Sequence, residues 1–138
     1  MPLIFGLLFC NIANAGTASF SLDQSLNEKD GILEVSLNIS SNSRINAGQS
    51  TINFNNKDLE VISIDSEDSA FDIWMRSPRY SNSKGYIYFA GGTTNAFAGK
   101  EKILTIKFKI KNKEIKKANL EFNKNLILAA NGRGTNLY

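Results

Sequence analysis

"GGTTNAFAGKEKILTIKF", residues 91–108, admits two readings that lead to different folds. Glycines followed by a Gly-Lys pair suggest a phosphate-binding loop opening a helix. Such a loop has four residues between its first glycine and the Gly-Lys pair, then Ser or Thr to hold magnesium. Here six residues separate Gly92 from Gly99, Thr94 stands where the first glycine belongs, and Glu101 replaces the hydroxyl. A carboxylate at that point repels phosphate. The residues that follow also lack the period of a helix, whose N-terminus would have to face the anion. Leu104, Ile106, Phe108 and Ile110 alternate with Thr105, Lys107 and Lys109, the pattern of a half-buried strand. Gly91-Gly92 then reads as a breaker next to a strand, and the phosphate-loop reading fails.

The same period of two governs the rest of the chain after Gly16. Leu33, Val35, Leu37 and Ile39 alternate with Glu34, Ser36 and Asn38. "STINF" turns Ile52 and Phe54 to the core, and "YIYFA" turns Ile87 and Phe89 one way and Tyr86 and Tyr88 the other. "LEVISI" has apolar residues on both faces, which means burial on both sides or a bulge. Breakers separate these runs at 29–31, 40–44, 55–57, 81–85, 91–92, 111–116 and 131–134. No stretch of ten residues keeps a helical period. About eight or nine short strands separated by turns make an all-β, two-sheet sandwich. Its core is expected to hold Val35, Leu37, Ile52, Phe54, Ile87, Phe89, Leu104, Ile106 and Phe108.

Composition narrows the function. At 138 residues the chain is one domain. It has no histidine and one cysteine, which removes the commonest general base, an intrachain disulfide and a Cys/His zinc site. No catalytic residue, cofactor or metal is assigned. The acidic stretch 65–69, "DSEDS", lacks the glycine and distal glutamate of a calcium loop and reads as a solvated turn. The net charge of +3 is unevenly spread. Residues 100–117 hold eight of the sixteen basic side chains, and 58–72 hold six of the thirteen acidic ones. In "KFKIKNKEIKK" the lysines alternate with core residues and no base-stacking aromatic accompanies them, so no nucleic-acid partner is read. Solubility and protection of a strand edge explain them better.

Residues 1–15 differ from the remainder. They carry no charge, run apolar from Leu3 to Phe9, and end in Ala13-Asn14-Ala15, a small-x-small cleavage pattern. They read as a signal peptide cut after Ala15, which places residues 16–138 outside the cell or at its surface. Bulky Phe9 before Cys10 argues against lipidation, and the run is too short to span a membrane.

Three passages carry a family resemblance: "INAGQSTINFNNKDLEVISI" at 45–64, residues 69–111 around the glycines, and "LILAANGRGTNLY" at 126–138. The most specific pieces are the "NNKDLEV" turn, the glycine passage itself and "ANGRGTN". Residues 18–138 resemble a cohesin domain of the kind found on bacterial surface proteins. The resemblance implies a non-catalytic module with a nine-stranded jelly roll, in which the glycine passage is a bend joining two strands and Lys100 is a solvated loop charge. Cohesins bind dockerin modules, which carry the calcium sites themselves, and so assemble carbohydrate-active or cell-surface complexes. The fold is also similar to that of certain carbohydrate-binding modules, so direct polysaccharide binding is the alternative.

In the family the partner sits on one sheet, whose strands correspond here to residues 49–54, 71–76, 86–89 and 104–110. Period two exposes on them Gln49, Thr51 and Asn53, then Tyr86 and Tyr88, then Thr105, Lys107 and Lys109. A flat polar sheet with two tyrosines suits protein recognition. The same tyrosines, roughly 7 Å apart on one face, would also suit stacked sugar rings. Trp74 is either a third ring of that platform or a buried residue, and burial is the preferred reading.

Overall fold

The computed structural model describes residues 16–138; the leader, its cleavage point and Cys10 lie outside them. Six strands form: β1 (Ala18–Asn27), β2 (Ile32–Asn53), β3 (Leu59–Asp65), β4 (Ile73–Ser81), β5 (Tyr86–Ile110) and β6 (Glu121–Ala129). Every pairing is antiparallel. Among the described residues no helix is long and apolar enough to cross a membrane.

Two strands are far longer than the sequence breakers allow, because each serves both layers of the sandwich. Residues 32–41 of β2 lie between β1 and residues 99–109 of β5, and β3 extends that layer on the far side. Residues 47–53 of β2 lie between β6 and residues 86–92 of β5, and β4 completes the second layer. We call these layers A and B. Each has four strand segments, so the jelly roll is built with slightly fewer strands than the nine expected.

Expected breaks at 40–44 and 91–92 are therefore strand, not loop. At the first, Ser41 Oγ donates to the Ser43 carbonyl at 2.6 Å and accepts the Ser43 N–H at 3.1 Å, which satisfies the backbone while the register shifts. At the second, Gly91 and Gly92 pair with Gly48 and Ala47. They are glycine for lack of room. A Cβ on Gly91 would stand 2.7 Å from the Trp74 ring, and one on Gly92 would stand 2.8 Å from the Asn46 carbonyl. Of the three glycines in this passage, Gly99, at φ +87°, is the one that needs left-handed freedom. Lys100 next to it is no free loop charge, since it pairs with Asp23 at 2.9 Å.

The inward faces meet in one core. All nine residues expected there are buried, Phe54 being the least covered at 7% exposure. Aromatic rings join the layers: Phe20 of β1 meets Phe89 edge-on at 6.0 Å and stacks on Phe122 at 5.4 Å, and Phe54 meets Phe108 at 5.5 Å. Inward positions are odd-numbered in 33–39 and even-numbered in 50–54, then odd in 87–89 and even in 104–108. Along both β2 and β5 the inward phase therefore changes by one residue. The shifts between Leu37 and Asn38 and between Ser41 and Ala47 accompany this change. Ile103 is the residue left over at the first of them, which is why it is buried beside Leu104. The doubly apolar "LEVISI" carries a bulge between Val61 and Ser63 that leaves Ile62 exposed.

Each outer strand is blunted against further pairing. The Gln24 side chain of β1 donates to the Ala118 carbonyl at 3.0 Å and accepts its N–H at 2.7 Å. Asn82 does the same for Val61 of β3. The chain end bonds to β6 through Ala129 N–H to Thr135 O and Leu137 N–H to Ile127 O, both 2.8 Å. Strand β4 contains Pro78, which has no N–H, and two bulges.

Candidate functional site

The eight candidate surface residues do not share a sheet. Thr105 lies between Ser36 and Asp65, Lys107 between Glu34 and Ser63, and Lys109 between Ile32 and Glu60, all on layer A. The other five lie on layer B. The expectation of one sheet holding 49–54 and 104–110 together is corrected by the crossing of β5, which carries the two stretches into opposite layers. Edge protection is likewise not the role of these lysines, since that part of β5 is an interior strand. Glu34 and Glu60 on the neighbouring strands offset their charge.

On layer B, the register builds three rows across four strands. Asn53 lies between Glu121 and Tyr86, with Ser81 beyond. Thr51 lies between Asn123 and Tyr88, with Arg79 beyond. Gln49 lies between Leu126 and Ala90, with Arg76 beyond. These positions face outward because their strand neighbours Ser50, Ile52, Ile87 and Phe89 are fully buried inward. Asn123 donates its side-chain N–H to the Asn53 side-chain oxygen and fixes the first two rows to each other.

Three cations complete the face, and period two did not reveal them. Bulges on either side of Arg76 bring Arg76 and Arg79, three residues apart, onto the same side of β4. Lys124 sits in the bulge of β6, in the left-handed region at φ 54°. Arg76, Arg79 and Lys124 line one open depression with Gln49, Thr51, Tyr86 and Tyr88. The Arg76 guanidinium carbon lies 5.8 Å from the centre of the Tyr88 ring. Sequence offered one signal that could have pointed here. "IWMRSPRYS" holds two arginines around a proline, a combination suited to an irregular, exposed edge strand.

Trp74 is not part of this surface. It turns inward and packs edge-on against Phe71 at 5.9 Å and Phe89 at 6.5 Å, partly buried against the core rather than fully enclosed. Outside the core on β4 stand Ile73, 46% exposed, and Met75, 59% exposed, at the end of the face where Gly92 and Ala90 make the sheet low and smooth.

The family pattern described as cohesin domain matches residues 18–136. A non-cellulosomal cohesin from the hyperthermophilic archaeon Archaeoglobus fulgidus is similar, with TM-score 0.63 and 13% identity over 88% of this chain and 83% of that one. The sixth cohesin of scaffoldin B from Acetivibrio cellulolyticus, solved in complex with a Cel5 dockerin mutant, gives TM-score 0.63 and 14% identity over 82% and 86%. A cohesin module from a family 33 glycoside hydrolase of Clostridium perfringens gives 0.58 and 12% over 86% of each chain. At such identities the likeness speaks of the fold, and it agrees with the jelly roll expected from sequence. A search of curated proteins found no match.

Proposed function

The chain belongs to the cohesin family, and from that premise we propose that it is a non-catalytic module whose layer B docks a dockerin-like protein. The observation that carries the reading is the ordered surface of Gln49, Thr51, Asn53, Tyr86 and Tyr88. It is a flat array of hydrogen-bonding groups around two half-buried tyrosines on a rigid sheet, which offers contact area at little cost in side-chain freedom. Similar cohesins have been solved in complexes with dockerins. Layer A, with its charges in opposite-sign register, is the ordinary solvated side.

Direct polysaccharide binding fits the face less well. Stacked sugars need free aromatic rings, whereas Arg76 lies over Tyr88 and Trp74 is turned inward. We further propose export to the cell surface, in the service of carbohydrate-active or surface complexes, on the strength of the leader read in residues 1–15. Mass spectrometry of secreted protein should find Gly16 first, and a retained leader would count against export.

The docking face is tested by titrating dockerin modules against the chain by calorimetry. Tyr88→Ala should weaken binding at least about tenfold, as a central tyrosine does in an interface. Lys107→Glu, on the opposite layer, should change it little. The reverse order of effects, or binding to neutral glycans with no dockerin bound, overturns the assignment.

A further inference from the structure

We infer that the partner presents carboxylates to layer B, as an acidic protein surface received by Arg76, Arg79 and Lys124. The inference rests on the docking-face reading and specifies its chemistry. Among the described residues the ion pairs are Lys100–Asp23, Lys102–Asp68 and Lys116–Glu28, and none involves these three cations. Within the three rows the acid is Glu121, placed opposite Asn53 in the outermost one. The two layers thus treat charge differently. On layer A the outward Lys107 and Lys109 each have a glutamate on an adjoining strand. On layer B three like charges ring the tyrosines with no such compensation, an arrangement that repels itself in the free protein.

Local backbone geometry concentrates these charges. Two bulges in nine residues of β4 put both arginines on one side. Lys124 holds the left-handed conformation that non-glycine residues seldom adopt, and it is the non-glycine residue with positive φ among those described. A guanidinium is a planar fork matched to a carboxylate, and with Arg76 already held at the Tyr88 ring, less freedom is lost when the acid arrives. An acidic polysaccharide offers the same carboxylates. A protein is favoured because the face continues into exposed Ile73 and Met75, which a protein can cover and a chain of uronic acids cannot.

The experiment uses the full chain and a folded dockerin module with carboxylates on its docking surface, beside a version with those carboxylates changed to amides. Oligogalacturonate is titrated in parallel. The acidic module should bind at least about tenfold more tightly than its amide version, and its association rate should fall about tenfold or more with rising salt while dissociation changes little. The double variant Arg79→Glu with Lys124→Glu should remove binding of the acidic module, its melting curve showing that it is folded. Equal binding of the two modules, with Tyr88→Ala still damaging, overturns the acidic partner while leaving the docking face intact. Binding insensitive to Tyr88→Ala as well overturns both. Preferential binding of oligogalacturonate also overturns the inference.

Discussion

The Asn82 carboxamide occupies the place of a missing strand beside Val61, accepting its N–H at 2.7 Å and donating to its carbonyl at 3.0 Å. Asn82 is itself held by Asn56, which donates to the Asn82 and Ser83 carbonyls at 3.0 and 2.9 Å. Removing the carboxamide leaves two backbone groups of β3 to find other partners in a half-buried place. Asn82→Ala should therefore cost about 1–3 kcal/mol in urea unfolding. Asn82→Asp should be worse than a simple isostere, because a carboxylate keeps the acceptor and turns an acceptor toward the Val61 carbonyl. Amide exchange at Val61 should quicken in both variants; unchanged protection there would mean that Asn82 is not the seal.

Gly91 tests the claim that its lack of a side chain reflects space. Its neighbours are ring atoms of Trp74 and Phe71, at 2.7 and 2.8 Å from where a Cβ would stand; Trp74 is packed in turn against Phe89, and Phe71 against Phe97. Gly91→Ala should destabilise by about 1–3 kcal/mol through overpacking. The fluorescence of Trp74, the one tryptophan, should report the displaced ring. A variant with native stability and an unshifted emission spectrum would refute the argument. Gly31→Ala, at φ +72° with open space around it, is the comparison in which the cost comes from backbone conformation alone.

Asp23 joins β1 to the crossing of β5. Lys100, by hydrogen bond and by charge, holds the Asp23 carboxyl below its ordinary value of 3.8, and a hydrogen bond from Asn38 adds to this. A carboxyl whose folded value is depressed contributes stability above its unfolded value and loses it as pH falls through the folded one. Wild type should melt slightly above Lys100→Met at neutral pH. The gap should hold down to roughly pH 5 and close in more acidic solution. Both groups are more than half exposed, so the gap should also shrink with salt. A gap that persists in strong acid would mean that Lys100 contributes by packing instead.

Much of the core could be read from sequence because alternation survives wherever a strand is regular. Val35, Ile87 and Phe108 needed only their neighbours to be placed. Apart from "LEVISI", where two apolar faces hinted at a bulge, the features in which two residues oppose one escaped. A bulge leaves composition untouched, so the crossings of β2 and β5 looked like breaks, and residues 49–53 and 105–109 were assigned to one sheet. The same blindness hid Arg76, Arg79 and Lys124, whose orientation depends on backbone irregularity that period two cannot register. Gly91 shows the limit from the other side. Its sequence context suggested a flexible bend, whereas a tryptophan more than ten residues away decides why it is glycine.

The four blunted outer strands also limit how this molecule can be recognised. A sheet with a free edge can be extended by any backbone that comes alongside, whatever its sequence. Here Gln24, Asn82, Pro78 and the bonded chain end restrict that generic route, so a partner is left to be told apart by side chains on a face. Recognition of that kind is separable from the scaffold. Substitutions at Thr51, Tyr88 or Arg79 can change the chosen partner while the ladder beneath them stays paired, and related modules could diverge into mutually exclusive pairs without any change of fold.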